Sequence, residues 1–149
     1  MLYIGADHRG FALKEQLKSR FQALGIELTD LGDDHLDPQD DYVIFAQKVA
    51  DEVRKNPENR GIVICGSGAG VDMTANKIDG IRCALAFDEA RAIQARQHED
   101  VNMLALPSDA LDEETAFKMV QAFLNTQFSG EERHVRRLDE LKQVEENHQ

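Results

Sequence analysis

A thiol stands directly before a run of glycines. In "IVICGSGAGVDMTANK", residues 62–77, Cys65 closes a short apolar run, and Gly66, Gly68 and Gly70 follow with Ser67 and Ala69 between them. Small residues at the end of a strand let the backbone approach a ligand closely, and a helix starting there offers N–H donors that no helical carbonyl takes. The spacing is not that of a Walker A loop, because no Gly-Lys-Ser/Thr follows. Nor is it the G-x-G-x-x-G of a dinucleotide turn, although Asp88 at the end of the next apolar run keeps a nucleotide site as an alternative. A structural turn needs fewer glycines than three. The run points to an anion, either a phosphate or an oxyanion formed during a reaction.

Beside a helix N-terminus a thiolate is stabilised, which opens three chemical roles for Cys65: covalent nucleophile, redox thiol or general base. The second cysteine, Cys83, forms no C-x-x-C pair with it, which disfavours the redox role. A base that removes a carbon-bound proton wants a thiolate and, next to it, donors for the enolate oxygen; the glycines supply those donors. Against all three stands a plain reading of Cys65 as a small buried hydrophobe.

The elements that must position this stretch follow from periodicity. Apolar runs at 2–6, 26–31, 62–65, 82–87 and 102–106 predict five short strands. Phe11, Leu13, Leu17, Phe21 and Leu24 predict one helix closed by Gly25, and Tyr42, Phe45, Ala46, Val49, Ala50 and Val53 a second, stopped at Asn56-Pro57. Further helices are expected at 70–77, 88–97, 111–127 and 131–147, the last polar with Val135, Leu138, Leu141 and Val144 along one side. Strands alternating with helices predict a single α/β domain over 1–149: a three-layer α/β/α sandwich around a five-stranded parallel, Rossmann-like sheet. Ligands of such sheets bind beyond the carboxyl ends of the strands, where strand order reverses. That rule selects the end of strand one, Asp7-His8-Arg9-Gly10, and the end of strand three at Cys65. Cys83 falls near the start of its strand, several residues from Cys65 along the sheet axis, too far for a disulfide, and reads as a core residue.

Composition excludes other classes. A net charge of −11 disfavours nucleic acid as a partner. No apolar run approaches a membrane span, and the start MLYIGADHRG lacks the features of a signal peptide, so no membrane partner and a cytoplasmic location are expected. The five histidines and two cysteines show no metal-ligand spacing, and no metal is expected. One basic island stands out, RHVRR at 133–137, either an anion site or a solvated face paired with Glu131, Glu132 and Asp139.

Segments "IGADHRGF" (4–11), "DY" (41–42), "GIVICGSGAGVDMTANK" (61–77), "GIRCAL" (80–85), "RQHEDVNMLAL" (96–106) and "ERHVRR" (132–137), in this order and spacing, resemble the type B ribose-5-phosphate isomerases and their relatives, the galactose-6-phosphate isomerase subunits. The resemblance implies an aldose–ketose isomerase working through a cis-enediol without metal or organic cofactor. It implies Cys65 as the base between C1 and C2; Val71 stands where some relatives carry a carboxylate instead. By the same likeness Ser67 assists ring opening and His98 is its acid–base residue, while Gly66, Gly68, Ala69 and Gly70 hold the enediolate. Asp7 and Tyr42 match sugar contacts, His8 faces the phosphate, and Arg133 and Arg137 match phosphate ligands, with His134 beside them in the substrate-binding set.

A helix that leaves the carboxyl edge of a sheet runs back to the other edge, so His98 and Cys65 of one chain are expected far apart. If both act on one sugar, the site needs a second copy, a homodimer (or a tetramer built from it) with shared sites and helix 131–147 packing on the partner. The resemblance implies the same arrangement; the alternative is that His98 merely caps its helix. Three residues depart from the family pattern. Asp109 replaces an arginine that helps bind phosphate, so a carboxylate repels the substrate there unless a cation intervenes. Glu99 replaces an asparagine next to the ring-opening histidine, and Val43 a proline after Tyr42. The sequence therefore points to ribose 5-phosphate isomerisation, with another aldose phosphate (galactose- or allose-6-phosphate type) or a non-catalytic sugar- or nucleotide-binding module as alternatives.

Overall fold

The structure, a computed structural model, describes residues 1–149. Five strands are present: β1 (Leu2–Ala6), β2 (Leu28–Asp30), β3 (Arg60–Cys65), β4 (Cys83–Leu85) and β5 (Met103–Pro107). They alternate with α1 (Phe11–Ala23), α2 (Tyr42–Val53), α3 (Ala69–Ala75), α4 (Glu89–Glu99) and α5 (Glu113–Asn125), and α6 (Glu132–Glu146) ends the chain. All strand pairings are parallel, in the order β2-β1-β3-β5-β4. No helix is long and apolar enough to cross a membrane.

Strand alternation builds two cores. Leu2, Ile4, Ile62, Ile64, Leu104 and Leu106 face α1, α4 and α5, where Leu17, Phe21, Ala92, Met119 and Phe123 close one layer. Val63, Cys65, Met103 and Ala105 face the other way, against Ala46, Val49, Ala50 and Val53 of α2 and Val71 and Ala75 of α3. The helices change face where the chain changes direction, as right-handed crossovers require: α1 and α4 serve the steps that run one way across the sheet, α2 and α3 those that run back.

Several expectations shift. Leu24 is 56% exposed, because α1 ends at Ala23 and Gly25, at φ 73°, turns the chain away. Lys14 is fully buried instead: its ammonium meets the Asp30 carboxylate at 2.6 Å and the Asp33 carbonyl at 2.7 Å, which satisfies a charge that would otherwise be costly to bury. Burial works against ionisation of Asp30, yet Lys14, Lys18 and the Gly32 N–H hold its carboxyl below the usual range. Cys83 is half-buried, at the margin of the α2–α3 core rather than inside it. Burial, with the Asp72 carboxylate next to it, pushes its thiol well above the usual range. Register separates the cysteines as expected: Cys83 pairs with Met103 at one end of β5 and Cys65 with Pro107 at the other.

Strand order reverses at β1, which gives off β2 on one side and receives β3 on the other. There the turn after β1 lies hard on β3: a Cβ on Gly10 would meet the Ile64 carbonyl oxygen at 2.7 Å and the Ile64 side chain at 2.8 Å. Since backbone cannot give way cheaply, Gly10→Ala is expected to cost about 2 kcal/mol and to lower Tm by roughly 5 °C, measured by thermal unfolding. An unchanged Tm would mean that this turn is free to lift off β3.

Candidate active site

The carboxyl edge at β1, β3 and β5 collects most of the residues singled out in the sequence. Asp7 follows β1 and is buried; its Oδ1 accepts from the backbone N–H groups of Arg9 (3.0 Å) and Gly10 (3.1 Å), which sets the turn into α1. His8 donates its backbone N–H to Asp40 Oδ1 at 2.8 Å, and its Nδ1 lies 2.8 Å from the same oxygen. The hydrogen bond to Asp40 raises the His8 imidazole above its usual value of 6.5, helped by the charge of Asp7 and opposed by desolvation and Arg9. The imidazolium–Asp40 pair is therefore fully formed below 6.5 and lost as pH rises through the higher folded value. His8 is expected to titrate above 6.5 by NMR, and Asp40→Asn to bring the midpoint down; a midpoint indifferent to Asp40 would remove this pairing.

Cys65 ends β3 and is 4% exposed, on the α2–α3 face of the sheet. The turn behind it has the shape its glycines permit. Gly68 has φ 75°, and a Cβ there would meet Leu85 Cδ1 at 2.4 Å. A Cβ on Gly70 would strike the ring of Tyr42 at 2.6 Å, so that ring, at the start of α2, lies flush on the turn. Ser67 and Ala69 are exposed on the rim, with the Ala69 N–H 3.3 Å from Ser67 Oγ. Asp88 takes no part in this turn; it caps α4 by accepting from the Arg91 N–H at 2.7 Å.

Contacts made by Ser108, Arg9 and Asp40 add to those that periodicity and strand ends predict. Because β5 lies between β3 and β4, its carboxyl end falls beside Cys65: Ser108 N–H donates to the Cys65 carbonyl at 2.9 Å and Asp109 N–H to the Gly66 carbonyl at 3.0 Å. The Ser108 hydroxyl sits 2.9 Å from the Arg9 carbonyl and 3.1 Å from that of Cys65, joining the three strand ends. Arg9 spans the gap. Its guanidinium rests on Gly66, where a Cβ would fall 2.3 Å from Cζ, and Nη2 forms an ion pair with Asp109. A cation thus does stand against the Asp109 carboxylate. Asp40 lies within an acidic loop whose sequence carries no sign of a specific partner. For Arg9 the signal existed, since Asp109 called for a cation.

A second group gathers at the other edge. His98 lies in the last turn of α4, and the carbonyls of Glu99 and Asp100 after it accept from Arg82, which precedes β4. Its ring stacks on His134 of α6 with centroids 4.4 Å apart. His134 is only 2% exposed, and its Nδ1 lies 2.6 Å from Ser129 Oγ, so it is part of the α4–α6 packing. Glu99, Arg133 and Arg137 are exposed; Arg133 pairs with Glu131 at 2.9 Å, and Arg137, one turn on, shares its face. Between His98 and Cys65 runs the whole of β5, Met103 to Pro107, roughly 13 Å. One chain brings together Asp7, His8, Tyr42, Cys65 and the glycine turn, but not His98, Glu99, Arg133, His134 and Arg137.

Comparison with known proteins follows the same outline. The model of the Ribose/Galactose Isomerase family matches residues 2–141. A ribose-5-phosphate isomerase B of Mycobacterium tuberculosis is 36% identical over 148 residues, 99% of this chain and 91% of that protein. A crystal structure of ribose-5-phosphate isomerase B from Mycoplasma genitalium with bound ribulose 5-phosphate superposes with a TM-score of 0.93 at 40% identity, covering 97% of this chain and 95% of that one. The type B ribose 5-phosphate isomerase of Trypanosoma cruzi gives a TM-score of 0.93 at 34% identity, covering 99% and 97%.

Proposed function

The chain belongs to the ribose/galactose isomerase family, and from that premise we propose that it interconverts ribose 5-phosphate and ribulose 5-phosphate with Cys65 as the base. The observation that carries the reading is the buried thiol at the end of β3, set directly before a turn whose glycines admit a ligand. In the open-chain aldose the Cys65 thiolate takes the proton from C2, and the electron pair moves through C1 onto its carbonyl oxygen. The resulting cis-enediolate is held by backbone N–H groups of Gly66–Gly70. A proton passes from the C2 oxygen to the C1 oxygen, the thiol returns its proton to C1, and the ketose carbonyl forms at C2. Asp7 and Tyr42 orient the sugar chain. His8, kept protonated further into the neutral range by Asp40, suits a phosphate at the far end.

The remaining functions come from a second copy. Its His98, assisted by Ser67 of the glycine turn beside Cys65, opens the furanose ring; its Arg133 and Arg137 bind the phosphate from α6, and its His134 packs beneath them. Supporting a dimer are the exposed apolar side chains Met73 and Phe87 and, on α6, Val135, Leu141 and Val144, which a second copy would cover.

The test is a panel of pentose and hexose phosphates with the matching free sugars, assayed for aldose–ketose interconversion. Ribose 5-phosphate is expected to turn over fastest and free sugars hardly at all. Arg133→Ala and Arg137→Ala should each raise its KM about tenfold. A preference for a hexose phosphate would reassign the substrate, and an unchanged KM in both variants would remove the phosphate from α6.

A further inference from the structure

Arg9 and His8 are neighbours in sequence, yet their side chains part. His8 turns to Asp40 on the loop before α2, whereas Arg9 crosses β3 to Asp109 beyond β5. Exposed ion pairs ordinarily hold a side chain loosely. Arg9 has two further restraints: its carbonyl is tied to the Ser108 hydroxyl, and its guanidinium is seated on the bare Cα of Gly66. Asp109 engages only Nη2. Nε and Nη1 lie against Gly66, the residue after Cys65, and hydrogen-bond to no protein acceptor.

We propose that Arg9 contacts the substrate at the reacting carbons: its Nε–Nη1 edge donates to the oxygen that gains negative charge as Cys65 removes the carbon-bound proton. Asp109 is the positioning residue that holds it there. This rests on the isomerase reading above. It gives the carboxylate at 109 a function, in place of repulsion toward the substrate. It also divides the two cations of the β1 turn between the two ends of the sugar phosphate. A planar fork with several N–H donors suits an enediolate, whose two oxygens lie in one plane.

The experiment compares Arg9→Ala, Arg9→Lys, Asp109→Ala and the Arg9→Ala/Asp109→Ala double variant with the unaltered protein. It measures kcat and KM for ribose 5-phosphate and inhibition by two probes. One probe is inorganic phosphate; the other is the hydroxamate of a four-carbon sugar-acid phosphate, which shares the planar two-oxygen shape of the enediolate. Arg9→Ala is expected to lose about a hundredfold in kcat, with KM changed by less than about threefold. Hydroxamate inhibition should weaken in parallel, while inhibition by phosphate stays as it was. Arg9→Lys should recover part of the loss, and Asp109→Ala should lose about tenfold through mispositioning. The double variant should be as slow as Arg9→Ala. Recovery of the double variant to within about threefold of the unaltered protein would overturn the proposal, since Arg9 would then only mask Asp109. So would a rise in KM and weaker phosphate inhibition at unchanged kcat, which would make Arg9 a phosphate ligand. If the unaltered protein turns over no sugar phosphate, the isomerase reading falls, and this inference with it.

Discussion

Cys65→Ala is expected to lower kcat for ribose 5-phosphate by about a thousandfold while substrate still binds. No neighbouring group is placed to replace the thiolate. Asp7 Oδ1 is taken by the N–H groups of Arg9 and Gly10 and the residue is assigned to the sugar chain, the His8 imidazole is bonded to Asp40, and Val71 at the start of α3 carries no acid or base. The truncation removes one sulfur from a cluster in which Val63 and Val71 remain, a loss of about 1 kcal/mol in stability. Folding and activity therefore separate: thermal unfolding should move little and turnover should collapse. A variant that kept its kcat would return Cys65 to the role of a small hydrophobe between sheet and helices. Cys65→Ser should fare little better than alanine, because a hydroxyl is far harder to ionise than a thiol.

The second large effect is expected at His98, and it depends on the form of the sugar. Ribose 5-phosphate is mostly a closed ring, and opening it needs a proton moved between ring and hydroxyl oxygens, which an imidazole does near neutral pH. His98→Asn should lose about a hundredfold in kcat, with KM little changed, since the proposed phosphate contacts are His8, Arg133 and Arg137. Its hydroxamate inhibition should persist, because that open-chain probe has no ring to open. A loss of hydroxamate binding equal to the loss of kcat would instead mean that the α4–α6 packing had given way, through the stack of His98 on His134.

Much of this was legible in the sequence because it follows from periodicity. The alternation of Ile62 and Ile64 with Val63 and Cys65, and the apolar spacing of Phe45, Ala46, Val49, Ala50 and Val53, fix element type and face. Parallel strands then place Asp7 and Cys65 at one edge and His98 at the other. What periodicity does not carry is strand order at the far side of the sheet. That β5 lies between β3 and β4 brings Ser108 and Asp109 to Cys65 and Arg9. Burial of Lys14 was hidden for a related reason: a lysine reads as solvated until Asp30 and the Asp33 carbonyl, sixteen and nineteen residues on, are seen to surround it. The basic island at 133–137 was visible, but its sorting was not. His134 turns inward to Ser129 and His98 while Arg133 and Arg137 stay outside, a division set by the packing of α6 on α4.

The two halves of the proposed site lie on opposite edges of one chain, so a shared site can be tested by complementation. In the proposed homodimer, Cys65→Ala and His98→Asn each impair both sites, leaving at most about a hundredth of the normal turnover. Unfolded together in equal amounts and refolded, half of the dimers are mixed. Each mixed dimer has one site in which both substitutions fall and one in which neither does. The mixture should then regain about a quarter of the activity of the unaltered protein, at its normal KM. If the mixture stays as inactive as its components, Cys65 and His98 do not meet across two copies, and the shared site is wrong.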